Sequence, residues 1–475
     1  MKIEQIYTGC LAHGAYFISS NGEAVVIDPL REIKPYLEKA ERENVKIKYI
    51  FETHFHADFV SGHKDLAEKT GAKIVYGPTG AKLGFDAHIA KDGEIFPLGE
   101  ISFQLLHTPG HTLESSCFLL LDKNQKPHSL YSGDTLFIGD VGRPDLAQKI
   151  DDTLTQDKLA GMLYDSLREK IMPLPDDVIV YPAHGAGSAC GKNMSKETFD
   201  TLGNQKKNNY ALAEGLSREN FIAELTSGLP TPPAYFPQNV MMNILGADSS
   251  IDSILDKSFG AGLSPEKFEE LVNQSGALVL DTRKPADFAS GFVPNSVFIG
   301  IDGSFAPWVG TLIEDIKHPL ALVCEEGCEE EVITRLARVG YDNVLCYLKG
   351  GIKAWKEAGK EIDHIESISP EEAYQKFKEE NLPVVDVRKP SENLSQRIEN
   401  AINLPLDAVG VATENLDKNK TYLVHCAGGY RSMIFNSILR ARGYDHLIDI
   451  KGGFTAIVED AKFPLTNFVC PSTLS

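Results

Sequence analysis

The second half of the chain is written twice. Leu278-Val-Leu-Asp281-Thr-Arg283-Lys-Pro285 returns as Val384-Val-Asp386-Val-Arg388-Lys-Pro390, Gly340-Tyr-Asp returns as Gly443-Tyr-Asp, and Lys349-Gly-Gly returns as Lys451-Gly-Gly, at a spacing that drifts only from 105 to 102 residues. Two copies of one domain, each on the order of 100 residues, follow from that spacing. Within each copy, short apolar runs such as Ala277–Leu280 and Thr421–Val424 alternate with helix-like stretches such as Val332–Val339 and Met433–Arg442. That alternation predicts an α/β fold with helices on both faces of a sheet.

The remaining residues, 1–262, leave room for one larger domain in a chain of 475. The segment Leu229–Pro237 holds four prolines, which remove amide donors and restrict the backbone, so it marks the exit from that domain. The expected organisation is a domain over 1–237, a linker packed on the domains over 238–262, and the two copies over 263–362 and 363–475. A net charge of −20 opposes binding to nucleic acid or anionic lipid and favours small-molecule substrates. The N-terminus lacks a basic stretch followed by an apolar run, and no window reaches the roughly 18 apolar residues of a membrane span. A cytoplasmic protein is expected, its eight irregularly spaced cysteines reduced.

In the N-terminal region four strand-like runs end in metal-ligating residues. Tyr49–Phe51 leads to His54 and His56, with Asp58 two residues on; Ile101–Leu106 leads to His107 and His111; Leu130–Tyr131 leads to Asp134; Val178–Tyr181 leads to His184. Ligands at the ends of neighbouring strands converge on one edge of a sheet, where a metal can sit. Histidines outside these clusters, His13, His88, His128, His318, His364 and His446, are read as hydrogen-bonded structural residues.

With Thr53-His-Phe-His-Ala-Asp58, Thr108-Pro-Gly-His111-Thr and Ser132-Gly-Asp134-Thr in hand, residues 1–230 resemble the metallo-β-lactamase superfamily, whose pattern is His-x-His-x-Asp-His followed by a separate His, Asp and His. The fold this implies is an αββα sandwich, followed here by the two α/β copies. One position departs from the pattern: Phe59 stands where the sixth residue is histidine. A phenyl ring cannot coordinate, which favours one metal over two. The persulfide dioxygenase branch of the superfamily holds a single iron through two histidines and an aspartate. Carried over, that resemblance implies one Fe(II) per chain on His54, His111 and Asp134, with His56, Asp58 and His184 orienting ligands or water around it. The stretch Gly142-Arg143-Pro-Asp145 resembles the Gly-Arg-x-Asp segment that helps hold the carboxylates of a thiol carrier; an exposed salt-bridging arginine is the competing reading.

The last copy reads Tyr422-Leu-Val-His-Cys426-Ala-Gly-Gly-Tyr-Arg431-Ser, a cysteine after an apolar strand and before a helix. Loop amides, the helix N-terminus and Arg431 then surround the sulfur with positive potential, a cradle for a cysteine persulfide or a bound sulfite. This resembles the active-site loop of the rhodanese family, in which Cys426 is the sulfur carrier. Four residues separate Cys426 from Arg431, against five in phosphatase loops, which favours sulfur transfer. The first copy has Cys324-Glu-Glu-Gly-Cys328-Glu-Glu-Glu331 at this place, with no arginine, and is expected to be catalytically silent; a Cys324–Cys328 redox pair is the alternative.

Together these resemblances imply oxidation of a low-molecular-weight persulfide, carried on glutathione, coenzyme A or a similar thiol, by O2 to sulfite and thiol, coupled at Cys426 to the formation or use of thiosulfate. A homo-oligomer fits but is not required. Two alternatives belong to other classes. One is a zinc-dependent thioester hydrolase resembling hydroxyacylglutathione hydrolase, whose dinuclear site Phe59 disfavours; the other is a non-enzymatic sulfur carrier.

Overall fold

The computed structural model describes all residues except 147–153, 193, 230–231, 260, 461 and 471–475. Pro230, one of the four prolines of the 229–237 segment, therefore lies outside the described residues. The chain divides into two compact units. One comprises Met1–Ile254 with Glu314–Ile316 and Thr334–Asp342; the other comprises Leu255–Ile313, Lys317–Ile333 and Asn343–Ser475.

The first unit contains two six-stranded sheets. In the first, the strands run in the order Lys2–Thr8, His13–Ser20, Glu23–Ile27, Lys46–Phe51, Lys73–Tyr76 and His88–Ile89. In the second the order is Asp200–Thr201, Ile179–Pro182, Pro127–Gly133, Ser116–Leu121, Ile101–His107 and Ile95–Leu98. One core joins residues of both sheets, among them Ile18, Ile27, Phe51, Phe103, Phe118 and Tyr131. Alternate residues of Ser116–Leu121 face opposite ways: Phe118 and Leu120 enter that core, while Cys117, Leu119 and Leu121 join a second core with Leu163, Leu167 and Phe221. Both faces of this strand are covered, so all six of its residues are buried and it reads as a continuous apolar run.

The stretch 238–262, expected as a linker packed on the domains, holds helical structure and the boundary between the two units. Phe236–Leu245 and Ile251–Phe259 are helical, and the first unit runs on to Ile254. Asn243 ties the first of these helices to the domain, donating to the carbonyls of His56 at 2.7 Å and Phe59 at 2.8 Å and accepting from the Ser61 N–H at 2.8 Å. Pro237 at its start restricts the chain as expected, but a proline in the first turn of a helix costs no hydrogen bond and so begins structure here rather than ending it.

The second unit holds two all-parallel five-stranded sheets of the same order. These are Gly262–Leu263, Val344–Leu348, Leu320–Val323, Leu278–Asp281 and Val297–Phe298, and then Glu366–Ile368, Leu447–Ile450, Tyr422–His425, Val384–Asp386 and Ile402–Asn403. The repeated Asp-x-Arg motif has the same use in both. Asp281 and Arg283 form a buried ion pair at 2.6 Å, and Asp386 and Arg388 one at 2.7 Å, closing the turn after the strand. Among the described residues no helix is long and apolar enough to cross a membrane.

Candidate metal centre and sulfur-transfer loop

Each of the four predicted strand ends delivers its ligand to one place, but from two sheets. His54 follows Lys46–Phe51 of the first sheet; His111, Asp134 and His184 follow Ile101–His107, Pro127–Gly133 and Ile179–Pro182 of the second. The site thus lies where the two sheets meet rather than along the edge of one.

Donor atoms of His54, His111 and Asp134 all lie within 4.8 Å of one another, as do those of His56, Asp58 and His184. Asp134 Oδ2 is 3.4 Å from His111 Nε2 and 3.9 Å from His54 Nε2, and its Oδ1 is 3.6 Å from His184 Nε2, which is 3.4 Å from Asp58 Oδ2. All six side chains are buried. Burial disfavours charge, so it pushes His54 and His56 well below the ordinary imidazole range, His111 and His184 down to about 4, and Asp58 up to about 6. Asp134 is pushed well above its ordinary range by the same cause, with Asp58 adding to it. Neutral imidazoles beside a carboxylate are the ligand form a divalent cation needs.

The orientation of the imidazoles is settled behind them. Asp28 accepts from the Thr53 N–H at 2.8 Å and from its hydroxyl at 2.9 Å, so that hydroxyl is left to accept from His54 Nδ1 at 3.0 Å. His111 Nδ1 donates to the Arg143 carbonyl at 2.8 Å. Both rings therefore turn an Nε2 lone pair towards Asp134. Asp28 achieves this with a left-handed backbone, φ +50°, and Gly142 allows the close approach of its loop, since a Cβ there would lie 2.9 Å from His111 Nδ1. Both oxygens of Asp134 and the Nε2 atoms of His56 and His184 are buried with no N–H or O–H partner among the described residues, a cost that a metal ion removes. The donor set fits a metal. Replacing Thr53 with valine, which keeps the shape and removes the acceptor for His54 Nδ1, should weaken metal binding about 10- to 100-fold in chelator competition.

Phe59, His13 and Arg143 stand close behind the cluster. Phe59 is buried between the rings of His13 and His56, each 4.3 Å away, so hydrocarbon fills the place where the family pattern has a ligand. His13, read as a hydrogen-bonded structural residue, donates through Nε2 to the Asp28 carbonyl at 2.9 Å, and its ring lies 5.3 Å from that of His184, beside the cluster. Arg143 is not an exposed arginine: it is 1% exposed, and its fork is paired with Asp145 at 2.6 and 2.7 Å. What it offers the centre is its backbone carbonyl on His111. Sequence reasoning did not single out Asp28, Glu52, Glu114, Asn243 or Cys190. Cys190 lies within ligand distance of Asp134 and His184, and Glu52 lies 3.6 Å from His56 and 3.5 Å from His63. A cleft of about 280 Å³ opens beside His111, lined by Phe55, Ala57, Leu113, Val240 and Ile244 among others.

In the second unit, Gly429 has φ +96° and its N–H donates to Cys426 Sγ at 3.0 Å, immediately before the helix Tyr430–Ala441. Arg431 is near, yet its fork is engaged by Glu392 at 2.7 and 2.8 Å, so part of the positive field expected at the sulfur is offset. In the first copy Cys324 stands at the place of Cys426 and Glu329 at that of Arg431. There the Gly327 N–H, counterpart of the Gly429 N–H, donates at 2.9 Å to the Glu329 carboxylate. Burial, then Glu329, pushes the Cys324 thiol up to about 12.

The profile of the Metallo-beta-lactamase superfamily matches residues 8–184, and that of the Rhodanese-like domain matches 264–358 and 369–460. Among solved structures, a metallo-beta-lactamase from Staphylococcus aureus subsp. aureus COL is 30% identical, with a TM-score of 0.64 over 74% of this chain and 99% of that one. ETHE1 from Myxococcus xanthus is 27% identical over 52% of this chain and 99% of its own, with a TM-score of 0.44. A rhodanese-related protein from Thermoplasma volcanium is 31% identical over 21% of this chain and 97% of its own, with a TM-score of 0.20.

Proposed function

The chain belongs to the metallo-β-lactamase superfamily, extended by two rhodanese-like domains, and on that premise we propose that it is an iron-dependent persulfide dioxygenase with a sulfurtransferase site at Cys426. The observation that carries this reading is the buried His54–His111–Asp134 set, with Phe59 packed on His56 of the neighbouring set. Two imidazoles and one carboxylate leave coordination positions free for two reactants, and the apolar neighbour removes the second set's fourth ligand.

Bound Fe(II) supplies the redox chemistry with O2 that no protein side chain offers. The overall reaction balances as persulfide, O2 and water giving thiol, sulfite and two protons. The residues around the centre prepare it. The Asp28–Thr53 chain and the Arg143 carbonyl hold the two rings in one tautomer, and Asp58 and His184 can take and release protons beside the reacting sulfur. The apolar cleft at His111 receives the arm of the thiol carrier and keeps bulk water from the persulfide. Arg143, its fork committed to Asp145, positions His111 rather than grasping the carrier.

At Cys426 the thiolate attacks the outer sulfur of thiosulfate; the S–S bond breaks, its electron pair leaves with sulfite, and a cysteine persulfide remains. With sulfite in excess the same step runs backwards and releases thiosulfate. The Gly429 amide holds the anionic sulfur in both states. The first copy supplies no thiol to this step.

Oxygen consumption by iron-loaded protein, with glutathione persulfide or coenzyme A persulfide and with sulfite and thiosulfate quantified, tests the reading. Uptake matched by those products is expected. No uptake at one bound iron per chain, with hydrolysis of a thioester by the zinc-loaded protein, would replace it with the hydrolase.

A further inference from the structure

The two rhodanese-like copies meet at the sulfur-transfer loop itself. Tyr430 is the first residue of the helix that follows Gly429, and its side chain leaves its own copy. The phenol donates to the Gly300 carbonyl of the first copy at 2.6 Å, and the ring lies 5.9 Å from that of Phe298. The seat leaves no spare room: a Cβ at Gly303 would lie 2.3 Å from Tyr430 Cζ, and one at Gly300 would lie 3.2 Å from its Cε2. Two turns along the same helix, Ser437 Oγ accepts the Phe298 N–H at 2.9 Å. Further on, Arg440 pairs at 2.8 Å with Asp363, between the copies.

The anchor adjoins the amide that meets the sulfur. Gly429 carries the amide that reaches Cys426 Sγ; within the loop's own copy the Phe454 and Thr455 N–H groups hold the Cys426 and Ala427 carbonyls at 2.7 and 3.1 Å and the Met433 N–H meets the Gly429 carbonyl at 3.4 Å, while Tyr430, the residue next to Gly429, is the one seated on the other copy. A hydrogen bond to an anionic sulfur weakens steeply when its donor turns away. In the first copy the residue matching Tyr430 is Cys328, which has no comparable reach, and there the matching amide points at Glu329.

Resting on the reading of Cys426 as the sulfur-carrying thiol, we propose that Tyr430 is a positioning residue. Seated on Gly300 and Gly303 of the first copy, it fixes the turn that aims the Gly429 amide at Cys426, so the first copy governs the reactivity of the second.

The test uses the full chain as wild type, Gly303→Ala, Tyr430→Phe, Tyr430→Ala and the Gly303→Ala/Tyr430→Ala double variant. Two quantities are read: kcat and KM for sulfur transfer from thiosulfate to cyanide, and the rate of Cys426 alkylation by iodoacetamide, followed by peptide mass. Gly303→Ala should lower kcat and alkylation together about tenfold, the effect of one misaligned charge-assisted hydrogen bond, with KM changed much less. Tyr430→Phe, which keeps the ring, should lose about threefold or less. Adding Gly303→Ala to Tyr430→Ala should cost nothing further, because there is no ring left to displace. Loosening of the fold would instead expose the buried Cys426, so faster alkylation with a lowered melting temperature overturns the proposal. Wild-type rates in Gly303→Ala, or additive losses in the double variant, overturn it as well. A wild-type protein that transfers no sulfur overturns the reading of Cys426 itself, and the alkylation rates still decide whether the seat sets the thiol's reactivity.

Discussion

Asp134→Asn should yield a folded protein that no longer holds iron. Asparagine keeps the volume of the side chain but removes the one negative charge in the His54–His111–Asp134 set, so iron affinity should fall more than about 100-fold and persulfide-dependent oxygen uptake with it. The metal-free protein should respond in the opposite sense. Burial raises Asp134 well above its ordinary range, so the folded state holds a proton that the unfolded state has released. Stability of the metal-free wild type is therefore lost as pH rises from the ordinary carboxylate range through the raised value. The amide carries no such liability. Thermal melts of both metal-free proteins should show the variant gaining on the wild type between pH 5 and pH 8, while metal analysis shows it empty. Retention of one iron and of oxygen uptake by this variant would sink the assignment of the ligands.

Cys426→Ser should separate the two chemistries. A hydroxyl at this position is a far weaker nucleophile and cannot carry sulfane sulfur, so transfer from thiosulfate to cyanide should fall more than about 1000-fold. Oxygen uptake with a persulfide substrate should stay within about twofold of wild type, with sulfite accumulating at the expense of thiosulfate. Loss of oxygen uptake along with transfer would contradict two independent sites.

The candidate ligands were legible in the sequence because each comes at the end of a strand and several are bunched, as in Thr53–Asp58. What stands behind them was not. Asp28 precedes Thr53 by 25 residues and is a single acidic residue in an ordinary turn; only the folded chain shows its carboxylate holding both groups of Thr53. Asn243 is further still, 187 residues from the His56 carbonyl it meets, and it lies just past the prolines that read as the exit from the domain. The repeated copies were visible through Asp281–Arg283 and Asp386–Arg388 because local pairs leave local patterns. Arg431 misled in part: its place in the loop was clear, but its partner Glu392 is 39 residues away and belongs to a different turn. Arg143 misled for a related reason, since a sequence shows that an arginine and an aspartate are neighbours but not that the arginine has been folded inward with the aspartate on its fork. The sheet of origin was equally hidden, for a strand end looks alike whichever layer it belongs to.

The carboxylate of Glu329 on the Gly327 amide has a consequence for the traffic of products. A group tethered two residues away competes for that amide at an effective concentration on the order of millimolar or more, whatever the surroundings contain. On the proposed reading, sulfite would find in the second copy a loop whose Gly429 amide serves the Cys426 sulfur, and in the first copy one whose amide is already taken by Glu329. On that reading the duplication doubles the scaffold without doubling the sink, and sulfur carried by this pair of domains would have one thiol, Cys426, to pass through.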